Sequence, residues 1–79
     1  MTTPTTEITT ITLRAMRAKL EEAAAVAKAA EAMATDGQPR RAVMMALDVE
    51  PLAHEANSLV QGLAVLNRIA RAGQESGGS

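Results

Sequence analysis

Seventy-nine residues make one domain at most, and with no cysteine, one histidine and no aromatic residue the chain lacks a disulfide framework, a thiolate metal site and the large side chains that usually dominate a small core. A formal net charge of -1, from eight Lys and Arg against nine Asp and Glu, argues against binding to nucleic acid or anionic membrane driven by overall charge. Alanine, leucine, valine and methionine must build the core, and oligomerisation is the staple left to so short a chain.

Met1 to Thr12 holds seven threonines and Pro4. That composition predicts an extended or flexible lead-in over residues 1–12, with Thr9, Thr10 or Thr12 capping the first helix. The segment has no lysine or arginine and does not read as a signal peptide. From Leu13 the apolar spacing turns regular. Leu13, Met16, Leu20, Ala23, Ala27, Ala30 and Ala34 alternate in steps of three and four, the seam of a helix over about residues 13–35 that packs on another helix. Val26 and Met33 widen the stripe, while Arg14, Glu21 and Lys28 recur on a different, solvated side.

Gly37 suits a helix C-terminus and Pro39 the first turn of a following helix, so residues 36–38 read as a hairpin turn. A second seam runs through Met45, Val49, Leu52, Ala56, Leu59, Leu63, Leu66 and Ala70, within a helix over about residues 39–72. Pro51 interrupts it. Either Asp48 caps a new helix there or the helix continues with a kink, and the unbroken seam spacing leans toward the kink. This second arm exceeds the first by about ten residues, roughly 15 Å of helix, so the arms match only if something bends or overhangs. Residues 73–79 read as a flexible polar tail. The expected fold is all-α: an antiparallel helical hairpin domain over residues 13–72 that completes a four-helix bundle by homodimerisation, because alanine-rich stripes bury too little on their own.

The run Ala42 to Leu47 is apolar on every side, yet far shorter than the about 20 residues a bilayer span needs. With Met45 in the seam, Val43, Met44 and Leu47 point away from the hairpin partner and are candidate protein contacts. Arg14, Arg17, Lys19, Arg68 and Arg71 gather toward the open end of a hairpin and are candidate contacts for an anion or nucleic acid. Without aromatic residues for base stacking, nucleic acid is the disfavoured partner. Glu50 and His54 share a helical face, but bundle metal sites use a three-residue spacing and further inward glutamates, so they read as a solvated pair. Ser58 and Ser76 have no neighbouring base, and no phosphate-binding glycine loop is present. The reading is a cytoplasmic non-enzyme with no cofactor, metal, membrane or small-molecule ligand, whose partner is a second copy or another helical protein.

Two stretches resemble a known family. Ala15 to Ala23, reading Ala-Met-Arg-Ala-Lys-Leu-Glu-Glu-Ala, and Ala56 to Ile69, reading Ala-Asn-Ser-Leu-Val-Gln-Gly-Leu-Ala-Val-Leu-Asn-Arg-Ile, are similar to the two helices of the small hairpin co-chaperones of type III secretion needle subunits. The present chain is about one heptad longer between the stretches and richer in alanine. The resemblance implies a hairpin that pairs with a larger helical-repeat chaperone to hold a needle subunit unpolymerised, with Leu59, Leu63 and Leu66 in the apolar positions of the second helix.

Overall fold

In a computed structural model the chain is a hairpin of three helices, α1 (Pro4–Thr35), α2 (Pro39–Ala46) and α3 (Val49–Gly78). The structure describes residues 4–78, with side chains described from Thr6 to Gly73; Met1 to Thr3 and Ser79 lie outside the described residues. α1 packs antiparallel to a second arm made of α2 and α3, and the whole measures 64 × 23 × 14 Å.

The turn is built by the main chain. Gly37 takes φ +85°, the only positive φ among the described residues. The Gln38 N–H then donates to the Met33 carbonyl (3.0 Å) and the Gly37 N–H to the Ala34 carbonyl (3.1 Å). This pair of bonds is the Schellman closure, which satisfies carbonyls that a helix end would leave without donors. Pro39 follows at the start of α2, where its missing N–H costs nothing, and the Gln38 carbonyl accepts the first helical bond from Ala42 (3.0 Å). The Gln38 side chain makes no cap and instead accepts a bond from Arg41 (3.2 Å).

The break in the second arm falls at Leu47 and Asp48, just ahead of Pro51. Proline has no N–H to give the carbonyl four residues back, which is that of Leu47. The Leu47 carbonyl accepts from Glu50 instead (3.2 Å), and Asp48 donates to Met45 (3.0 Å), so the join tightens by three-residue bonds. Pro51 thus stands in the first turn of α3. The arm is split, and the seam nevertheless stays in step through Ala42, Met45, Val49, Leu52, Ala56, Leu59, Leu63 and Leu66, all buried or half-buried.

Three expectations need correction. The threonine-rich segment is helical from Pro4, not extended to Thr12. Thr10 and Thr12 donate their hydroxyls to the carbonyls of Thr6 (2.9 Å) and Ile8 (2.8 Å), which keeps those groups paired inside the helix. Thr9 meanwhile lies beside Leu63, Leu66, Asn67 and Ala70 of α3, so contact with the longer arm outweighs weak propensity. The extra turns of α1 run alongside α3, and because α3 is itself longer than expected the second arm still overhangs the first. Secondly, α3 continues to Gly78, beyond the stop expected near Ala72. Thirdly, the seam of α1 is Thr9, Thr12, Met16, Lys19, Ala23, Val26, Ala30 and Met33. Leu13, Leu20, Ala27 and Ala34, expected in it, sit one residue further along and are exposed, Leu13 by 44% and Leu20 by 50%.

Among the described residues the buried ones are Ala23, Ala30, Ala42 and Ala56. Small side chains let the helices approach closely, but each buried methyl contributes only on the order of 0.8 kcal/mol. The radius of gyration, 18.4 Å, compares with about 12 Å for a compact chain of this length.

Candidate interaction surface

Lys19 is the charged member of the α1 seam. Its Nζ lies 2.8 Å from Oε2 of Glu55 on α3 and ties the two arms together. The hydrogen bond that Lys19 donates to Glu55, and then the charge of that carboxylate, hold the ammonium above its ordinary value of 10.5. This contact withdraws Lys19 from the basic group anticipated at the open end. Arg17 pairs along α1 with Glu21 (3.4 Å), both well exposed. Arg14 and Arg68 each occupy the heptad position opposite the seam, so they face outward from opposite sides of the hairpin, and Arg71 is exposed further along α3. The five cations therefore do not form one patch.

Leu59, Leu63 and Leu66 are half-buried in the seam of α3, turned toward α1. Val43, Met44 and Leu47 are exposed by 61%, 69% and 59%. Val43 and Met44, with Pro39 and Arg40, line a shallow hollow at the turn end. Glu50 and His54 are exposed on α3, and among the described residues no three His, Cys, Asp or Glu side chains are grouped to hold a metal ion. No helix of the described residues is long and apolar enough to cross a membrane.

Sequence reasoning missed the larger apolar surface. Besides the trio near the turn, Ile8, Ile11, Leu13, Leu20, Val60, Val65 and Ile69 are exposed. On α1 two neighbouring stripes both satisfy the three-four spacing. Near the turn the stripe with Val26 and Met33 carries the larger side chains; near the open end the stripe with Leu13 and Leu20 does. One partner helix covers only one stripe. The signal available in the sequence was this doubling, since a single hairpin needs one seam per helix. Comparison of the chain with protein-family models, with curated proteins and with solved structures gave no match.

Proposed function

We propose that the chain is a non-enzymatic protein–protein interaction module, a helical hairpin that associates with a second copy of itself to complete a four-helix bundle. One observation carries this reading: among the described residues only alanines are buried, while the large aliphatic side chains lie in the half-buried seam or in the open. Burial of apolar surface is the main favourable term in folding a chain without disulfide or metal, and association supplies what the isolated hairpin lacks. Light scattering coupled to size exclusion, with helicity followed by circular dichroism over a dilution series, tests the reading. Twice the chain mass, with helicity that falls on dilution, is expected; a stable, cooperatively melting monomer would overturn it.

A second reading rests on the hollow at Pro39, Arg40, Val43 and Met44, which faces away from the hairpin seam. There the chain would seat an apolar side chain of another helical protein; a larger helical partner is also what the resemblance to needle-subunit co-chaperones implies, though that resemblance points to Leu59, Leu63 and Leu66. Met44 suits such a role because its unbranched side chain adapts to an irregular partner. Val43→Ser together with Met44→Ser would then abolish capture by such a partner while leaving any homodimer intact.

A further inference from the structure

The hairpin has two long flanks, and they differ in chemistry. On one, the side chain of Lys19 leans toward Glu55, next to Glu22, whose charge also acts on that lysine. Asp48 and Arg41 share the heptad position of Glu55, so this flank carries charges of both signs, with Glu22, Asp48 and Glu55 against Lys19 in its middle. On the other flank Thr9 lies beside Asn67. The same heptad step places Leu13, Leu20, Ala27 and Ala34 of α1 next to Ala46, Ala53 and Val60 of the second arm, all exposed and none charged.

We infer that this uncharged flank is the homodimer interface and that two hairpins pack on it antiparallel, turn end against open end. The inference rests on the self-association reading above and names its surface. Area supports it first. The chain exposes 6218 Å², against about 4,500 Å² for a compact protein of its mass. The difference, roughly 1,700 Å², exceeds the about 800 Å² that each partner gives up in a standard interface.

Side-chain size then selects the direction. Leu13, Leu20 and Val60 fill the open-end half of the flank, and Ala27, Ala34, Ala46 and Ala53 the turn half. A twofold axis across the hairpin lays α1 on α1 of the second copy and α3 on α3. Leu13 then meets the second copy's Ala34, Leu20 its Ala27 and Val60 its Ala46, large on small, with Ala53 meeting itself at the axis. A twofold axis along the hairpin would lay α1 on the second arm instead, setting Leu13 against Val60 and alanine against alanine, which crowds one end and leaves gaps at the other. Charge agrees. Arg17 and Glu31 stand at the outer edge of the flank on α1, both exposed, and only the antiparallel arrangement brings Arg17 of one copy to Glu31 of the other. Arg17 has only its exposed pairing with Glu21 to exchange for it.

The absence of native cysteine makes the test direct. Single variants Leu13→Cys, Ala34→Cys, Ala53→Cys and Val60→Cys, all at exposed positions, are checked for native helicity and treated with a short bismaleimide while the mass is followed by light scattering. The antiparallel dimer predicts cross-linking of Ala53→Cys with itself, near the twofold axis, and of Leu13→Cys mixed with Ala34→Cys. Cross-linking of Leu13→Cys mixed with Val60→Cys would overturn the direction. A dimer by mass that cross-links at none of these positions would overturn the surface and leave self-association standing. A monomer by mass would remove both.

Discussion

At the scale of single residues, Gly37 and Gly62 make opposite predictions. Gly37 holds φ +85°, and a Cβ added there would meet nothing within 4 Å, so the penalty for alanine is purely conformational. Gly37→Ala is expected to destabilise the hairpin by about 1–2 kcal/mol in a denaturant melt. Gly62 is helical and equally unobstructed, and Gly62→Ala is expected to stabilise by about 0.8–1 kcal/mol. Equal effects at the two positions would contradict the turn geometry. Lys19 gives the pH dependence. A lysine whose folded-state value is raised contributes stability that is fully present below its ordinary 10.5 and is lost as pH rises through the higher folded value. Thermal melts of the wild type should therefore weaken above that point, and Lys19→Met should lose this part of the alkaline dependence.

At the scale of elements, close packing of alanines is what the hairpin depends on. Ala30 and Ala42, 6% exposed each, leave no room for larger side chains where the arms meet near the turn. Ala30→Leu is expected to spread α1 from α2 and to cost about 1–3 kcal/mol by denaturant melt. The same substitution at exposed Ala18 should stay within about 0.5 kcal/mol. How far the elements were legible follows from the same residues. The second seam was readable because Leu52, Leu59, Leu63 and Leu66 mark one stripe without a competitor. The turn was readable because Gly37 and Pro39 each have a single best backbone position. The α1 seam was misread by one residue because alanine at so many positions makes neighbouring stripes equivalent, leaving Leu13 and Leu20 to decide against a lysine. Nothing in local sequence announces that Lys19 will meet Glu55 across the hairpin. The helical state of Thr5 to Thr12 was hidden for a related reason: propensity counts the β-branched residues, whereas the hydroxyl bonds of Thr10 and Thr12 exist only once the helix has formed and the reach of α3 is a tertiary fact. At the interaction surface, Val43, Met44 and Leu47 are exposed as their spacing implied, while the apolar flank and the dispersal of the arginines needed the packed register.

At the scale of the whole molecule, one turn holds two arms that otherwise meet only along a narrow seam. Residues near Gly37 meet partners close in sequence, such as Met33 with Gln38, whereas Thr9 meets Leu66 across nearly the full length of the chain. Closing a loop costs more as it lengthens, though slowly, so contacts at the open end carry the larger entropic cost and rely on Leu59, Leu63 and Leu66 to offset it. Amide exchange should consequently be slowest around Ala30 and Ala42 and quicken steadily toward Thr6 and Ala70. A flat protection profile would mean the seam opens as one unit.

The Schellman closure at Gly37 thus sets an order of events. Refolding is expected to start where the chain reverses and to advance outward, because loop closure is cheapest there. The open-end half of the uncharged flank is completed only when the final layers close. A second copy meeting the chain earlier would find half of that flank, so the proposed dimer is expected to form late in folding, gated by the layer farthest from the turn.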